Sequence, residues 1–415
     1  MSRNVTKSAG KIQVIISLFI ILGILVFALA SLAGSVKAPG EGGSPIVSDA
    51  PAATDSDEAP AAEPSKVRFM AAGDNLIHSN IYEQAAERAN GSGYDFSYAY
   101  DAVKDIISKA DIAMINQETP IDSSKEPSTY PNFNSPTQLG DEIVNLGFNV
   151  VSLANNHIRD QYYDGALASI KYWKSKDVVL TGAYENEEDL KQVKKHTVNG
   201  ITFGYVGVTS YLNGYNINPD ETDLRVVSLT DAYRSEEEID ATVKSMIEAA
   251  KAECDVVVVS MHWEREDDTT VTEGQEAWVQ QMVDWGADII VGTGPHVVQK
   301  IEYRNAADGS KALVLYSLGN FISAQSSPYN LVTGIADIEI EKNNESGEIS
   351  INSVDIIPVV TQYSSGYSDL HLVKLQDFNS ELEAKNGAGL TYSYAKELLE
   401  SVIGKEYISS LRSGE

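Results

Sequence analysis

Asp74, His78, Glu118, Asn155, Asn156, His157, His262, Glu266, His296 and Asn320 offer carboxylate, amide and imidazole donors, the groups that divalent ions take. Each lies close behind a short apolar run. Gly73-Asp74-Asn75 closes Val67–Ala72, with His78 four residues after the Asp. Asn116-Gln117-Glu118 closes Ile112–Asn116, and Ala154-Asn155-Asn156-His157 follows Asn149–Leu153. His262-Trp263-Glu264-Arg265-Glu266 follows Val256–Met261. Thr293-Gly294-Pro295-His296 follows Ile289–Gly292, and Leu318-Gly319-Asn320-Phe321 follows Leu313–Ser317. His196 and His371 stand apart from this pattern. Taken singly, each residue has a plainer role. An Asp behind a strand often caps a helix, a buried His is usually just hydrogen-bonded, and Asn155-Asn156 suits a turn. Coincidence at six strand ends is a poor account of the whole set. Together the donors suit a hard-to-borderline ion such as Mn²⁺, Fe²⁺ or Zn²⁺. A Walker loop and a G-x-S-x-G elbow are both lacking, which speaks against NTPase and serine-hydrolase chemistry.

The runs themselves predict the scaffold. Val178–Thr181 and Thr202–Val208 complete a set of apolar strands, several continuous enough to be buried on both faces. Helix signals fall between them. Ser235 to Glu238 forms a capping box ahead of Ile239, Val243 and Ile247, and Thr272 to Gln275 forms another ahead of Trp278, Met282 and Trp285. Alternation of strand and helix predicts an α/β fold, in which ligands sit outside the carboxyl ends of strands. Three strand-like runs between Gly334 and Val360 predict an antiparallel finish, and Tyr392–Ile403 predicts a helix in a C-terminal extension, 373–415.

Before the strands lie two segments of another kind. Ile12–Leu32 holds no charge and is long enough to cross a bilayer once. Arg3, Lys7 and Lys11 precede it, so residues 1–33 read as a single-pass signal anchor with a cytoplasmic N-terminus and an extracellular body. Ala28-Leu29-Ala30 offers the competing reading of a cleaved signal. Residues 34–66, rich in Ala, Pro, Gly, Ser and acids, read as a linker. The 415-residue chain carries 31 basic and 60 acidic residues, a net charge of −29. Loss of Arg3, Lys7 and Lys11 would take the exported part to −32. Such a surface argues against a nucleic-acid partner. The single Cys254 excludes an internal disulfide and reads as a small buried hydrophobe. The tyrosines around Tyr98 and Tyr363 read as cover for half-buried surface.

The ordered blocks Gly73-Asp74, Asn116-Gln117-Glu118, Ala154 to His157, His262 to Glu266, Gly292 to His296 and Ser317 to Phe321 resemble the CapA family. These are bacterial capsule-synthesis proteins associated with poly-γ-glutamate. The resemblance runs from Lys66 to Tyr363. It implies a layered β-sandwich flanked by helices, the calcineurin-like metallophosphatase fold, over residues 67–372. It implies synthesis or export of an anionic capsule polymer beside synthase subunits in the membrane. The alternative is a metal-dependent surface phosphoesterase or hydrolase unrelated to capsule. By the same resemblance, Asp74 and His296 would ligate a first ion, Glu118 would bridge, and Asn156 and His262 would ligate a second. His157 would act as the acid, with His78, Asn155, Glu266 and Asn320 in support. Two departures stand out. Gly294 occupies a place where many relatives have His, and His78 lies four residues from Asp74 where phosphatases have Asp-x-His. Glu118 also adds a methylene to the usual bridging Asp. The resemblance therefore implies one ion or two.

Overall fold

A computed structural model describes residues 63–412 apart from Glu264. The apolar run Ile12–Leu32 and the linker as far as residue 62 lie outside the described residues. Among the described residues no helix is long and apolar enough to cross a membrane.

The chain first lays down β1 (Ser65–Asn75), α1 (Ser79–Arg88), α2 (Ser97–Ile107), β2 (Ile112–Gln117), α3 (Thr137–Leu146), β3 (Val150–Ser152), α4 (Tyr162–Lys174) and β4 (Val179–Thr181). Next come β5 (Ala183–Tyr184), α5 (Glu187–Lys191), β6 (Lys194–Val198), β7 (Ile201–Thr209), β8 (Arg225–Val226), α6 (Glu236–Glu253), β9 (Val256–His262), α7 (Glu273–Asp284), β10 (Ile289–Thr293), β11 (Ile301–Asn305) and β12 (Lys311–Leu315). It ends with β13 (Asn320–Ile322), β14 (Val332–Lys342), β15 (Ile349–Ser364), β16 (Ser368–Lys374) and the short helices α8 (Ser380–Lys385), α9 (Tyr392–Leu399) and α10 (Ser409–Arg412).

One sheet runs β16-β15-β14-β1-β2-β3-β4, with β13 beside the end of β1; the other runs β11-β12-β10-β9-β7-β6. Within the first, β1 to β4 are parallel. Within the second, β7, β9, β10 and β12 are parallel. All eight expected strands form, with ends displaced by a few residues. The largest displacement matters for chemistry. Asp74 lies inside β1, where it pairs with both Asn116 and Asn320, and not behind it. The Gly334–Val360 window holds parts of two long antiparallel strands, β14 and β15, in place of three runs.

Alternation along the second sheet divides its side chains between two cores. Phe203, Tyr205, Val256, Val258, Ile289 and Leu313 join the first sheet in one cluster. Val206, Val257, Val259, Ile290 and Val314 pack with α6 and α7 in the other. This is the period-2 logic of strands buried on both faces. Both helices start at the expected capping boxes. The sheets meet where Phe69 of β1 stacks on Phe203 of β7, 6.3 Å between centroids. They meet again at Gly207, where an added Cβ would lie 2.4 Å from Cα of Gly182. Leu390, Leu399 and Ile408 of the C-terminal extension are buried in the same core as β1. Cys254, expected as a buried hydrophobe, is half-buried just beyond α6.

Phe69 is wholly buried at this junction. Phe69→Ala is expected to cost about 3–5 kcal/mol, the range for a buried Phe. Urea unfolding followed by tryptophan fluorescence would measure it, and a loss below about 1 kcal/mol would show that the sheets are held elsewhere.

Candidate metal centre

The parallel strands of both sheets carry a polar row at their carboxyl ends. Across the first sheet Asp74, Asn116 and Ser152 are register partners, and Asp74 also pairs with Asn320 at the amino end of β13. Across the second, Thr209, His262 and Thr293 are. The rows converge on a cluster in which Asp74, Glu118, His262 and His296 are all buried.

One donor atom from each of Asp74, Glu118 and His296 falls within 4.8 Å of the others, a group that could hold a metal ion. Asp74 is fixed by two donors: Asn116 Nδ2 reaches Oδ1 at 2.7 Å and the Gly294 N–H reaches Oδ2 at 2.9 Å. Burial works against its charge, but His296, His262 and the Gly294 N–H hold it below the usual carboxylate range. Glu118 is different. Neither of its buried carboxylate oxygens has a hydrogen-bond partner among the described residues. Oε1 lies 3.8 Å from both His262 Nε2 and His296 Nε2. Burial pushes this carboxyl well above the ordinary range, and Asp74 adds to the shift. Buried polar atoms are nearly always paired, and an orphan costs about 1–3 kcal/mol. A bare carboxylate facing two imidazoles is what a cation-binding donor set looks like.

The two histidines are held differently. His296 Nδ1 lies 2.9 Å from Asn320 Oδ1, and its backbone is left-handed at φ +59°. Burial opposes charge on this ring, yet Glu118 and Asp74 raise it to about 10. Non-glycine residues so strained gather at functional sites. His262 Nδ1 faces Thr293 Oγ1 at 3.0 Å, and Nε2 faces Asn156 Oδ1 at 2.9 Å. Burial drives His262 down to about 3, so the ring is neutral.

His157 stands beside this cluster. Its Nδ1 meets Asp160 Oδ2 at 2.7 Å, and Phe133 packs edge-on against the ring at 4.8 Å. Asp160 also accepts the Phe133 N–H at 2.8 Å. Burial raises the Asp160 carboxyl, with His157 opposing. A carboxylate on Nδ1 orients the ring and leaves Nε2 to carry a proton to or from a ligand. Asn155 serves the backbone: Nδ2 donates to Asn116 Oδ1 and Gln117 O, and Oδ1 accepts the His157 N–H. His78 sits in the wall, where Nδ1 accepts the Ala324 N–H at 3.3 Å and the ring meets Phe133. It is outside the cluster that could hold an ion. Asn320 donates to His296 O, Gln325 Oε1 and Asn330 O. Glu266 stands at the mouth, 4.0 Å from His296 Nε2.

Sequence reasoning passed over Asn116, Thr293, Asp160, Tyr211 and Asn213. Asn116 and Thr293 sit in the strands next to named donors, and Asp160 follows His157 by three residues, so these were within reach of the same strand-end logic. Tyr211 and Asn213 follow β7, a long parallel strand whose end lacks a charged or imidazole residue. No signal marked them.

A model of the bacterial capsule synthesis protein PGA_cap matches residues 68–325. The chain belongs to this capsule synthesis family. Every donor of the centre falls inside the matched segment. Two similar family members are the capsule biosynthesis protein CapA of Bacillus anthracis and the PGA biosynthesis protein CapA of Bacillus subtilis. The first is 27% identical over 266 residues, 64% of this chain and 61% of that protein. The chain thus spans about three fifths of that relative's length. The second is 28% identical over 290 residues, 68% of this chain and 70% of that protein. Among solved structures, a novel phosphatase from Mycoplasma pneumoniae matches at TM-score 0.41 and 12% identity, covering 72% of this chain and 95% of that one. A hypothetical protein from Thermus thermophilus matches at TM-score 0.41 and 15% identity, covering 70% and 98%. Likeness at that level decides nothing about chemistry. Membership of the capsule family rests on the sequence match.

Proposed function

We propose that this protein is an exported capsule factor that uses a divalent-ion pocket in the synthesis or export of poly-γ-glutamate. On this reading Ile12–Leu32 anchors it in the membrane beside the polymer synthase, residues 34–66 tether it, and a metallophosphatase-like domain of residues 67–372 works outside the cell. The observation that carries the pocket is the orphaned, buried Glu118 carboxylate between Asp74 and two histidines. Asp74, Glu118 and His296 would hold one ion; Glu118, Asn156 and His262 would hold a second. Mn²⁺, Fe²⁺ and Zn²⁺ all suit mixed oxygen and imidazole donors. Bound ions supply positive charge and Lewis acidity for an anionic group. That charge matters here, because a −32 body repels a polyanion at long range. Beside that group, His157 is oriented through Nδ1 by Asp160, which leaves Nε2 to pass a proton.

A second reading, a metal-dependent surface phosphoesterase or hydrolase unrelated to capsule, draws on the His157–Asp160 pair. The two readings separate in cells whose gene for this protein is deleted. Wild type is expected to restore capsule polymer. Glu118→Ala and a version lacking residues 1–33 are each expected to leave polymer below about a tenth of that level. Full polymer from Glu118→Ala would sink the pocket's part in capsule, and full polymer from the truncated chain would sink the anchor.

A further inference from the structure

We infer that Tyr211, held by Glu266, sets which end of the Asn156 amide faces the ions. This rests on the reading of Asn156 as an ion ligand. An asparagine ligates through its oxygen, but its amide has two ends of nearly equal shape. Turned the wrong way, it presents N–H groups to a cation. Something must choose.

The hydrogen-bond chain makes the choice by counting protons. Tyr211 Oη lies 3.2 Å from Glu266 Oε1 and 3.0 Å from Asn156 Nδ2. An ionised carboxylate can only accept. The hydroxyl has a single proton, which therefore goes to Glu266. Its oxygen is left to accept, and the group across from it must be the Asn156 N–H₂. Asn156 Oδ1 is then turned the other way, to His262 Nε2 at 2.9 Å. The second N–H of Asn156 meets Asn213 Oδ1 at 3.1 Å. Both amide protons are thus taken on the side away from His262, and the oxygen is presented to the pocket.

The loop that delivers Tyr211 and Asn213 is itself fastened. Arg159 is 6% exposed, lies 3.6 Å over the Tyr163 ring and donates to Asn216 O at 2.7 Å. Tyr163 Oη accepts the Asn218 N–H at 3.1 Å. Asn213 takes a left-handed φ of +48° to turn its amide inward. Orientation of Asn156 counts for more here than in a site with a fourth side chain. Gly294 brings no side-chain donor, so among the described residues the set proposed for the second ion is Glu118, Asn156 and His262.

Mn²⁺ titration of the full-length protein by calorimetry tests this in four forms: wild type, Tyr211→Phe, Asn156→Asp and the double variant. Phe keeps the ring and its packing but cannot relay the constraint. Tyr211→Phe is expected to weaken the more weakly held ion about 10- to 100-fold, the range for loss of an outer partner. Aspartate has oxygen at both ends, so its orientation does not matter. In the Asn156→Asp background, Tyr211→Phe is expected to leave affinity within about threefold. If wild type takes a single ion, the same comparison is read on that ion. Unchanged affinity in Tyr211→Phe, or equal losses in both backgrounds, would overturn the inference, the latter pointing to a merely structural tyrosine. A wild-type protein that takes up no Mn²⁺ would instead overturn the ion-pocket reading beneath it.

Discussion

Glu118→Gln is expected to empty the metal centre and, in metal-free protein, to make the fold harder to unfold. The two effects have one cause. Glu118 is wholly buried, and neither oxygen finds a partner among the described residues. Without an ion, the fold bears the cost of that carboxyl and of Asp74 beside it. Burial raises the Glu118 carboxyl well above its ordinary range, the sign of a group uncomfortable when charged. A glutamine of the same shape removes the charge. Gain in the metal-free protein should be about 1 kcal/mol, the low end for a buried polar group, because the amide is itself left unpaired and the attraction to His296 is lost. With metal the balance reverses. The carboxylate faces His262 and His296 equally, 3.8 Å from each, and so serves both sides of the pocket. Its loss should weaken binding by more than about 100-fold, beyond the range for an outer partner. Elemental mass spectrometry gives metal per chain, and thermal unfolding with and without chelator gives the two stabilities. A variant that keeps its metal would show that Glu118 is not a ligand, and one that melts lower than wild type in chelator would show that Glu118 has a structural role.

This opposition is a general mark of sites built for ions: what binding needs, folding alone would discard. It also explains what could be read from sequence and what could not. Strands announce themselves through continuous apolar runs, and donors were found because they stand at the ends of those runs. Asp74, Glu118, His262 and His296 could therefore be named as one site. The convergence of two sheets on that site is tertiary. It depends on Phe69 meeting Phe203 and on close approach at Gly207, which no local pattern reveals. Short strands such as β5, β8 and β13 carry too few residues to show a period. Tyr211 escaped for a related reason. Its loop follows a strand ending at Thr209, and only the fold brings its hydroxyl to Asn156. His78 is the converse case, a ring of the right type near the right strand that packs on Phe133 in the wall.

Gly294→His would add an imidazole beside the cluster, and the expected result is a damaged protein with no added ion. The backbone at 294 is left-handed at φ +99°, a conformation that costs a side-chain-bearing residue about 1–3 kcal/mol. Space is the larger obstacle. A Cβ there would lie 2.3 Å from the backbone oxygen of Trp263 and 2.8 Å from its nitrogen. These are main-chain atoms at the end of β9, so no rotamer relieves the contact. Relief means moving Trp263, whose indole donates to Tyr316 O at 3.0 Å, and with it the adjoining His262. The Gly294 N–H that donates to Asp74 Oδ2 would move too. An imidazole added to complete the centre should therefore displace two donors already in it. Even Gly294→Ala, which brings no ligand, should lower the urea midpoint, and Gly294→His should lower it at least as far while metal per chain stays the same or falls. An extra ion bound at undiminished stability would mean that the β9 end yields easily. As the structure stands, the glycine is what lets the backbone pass close enough to fix Asp74, and the centre is built around it.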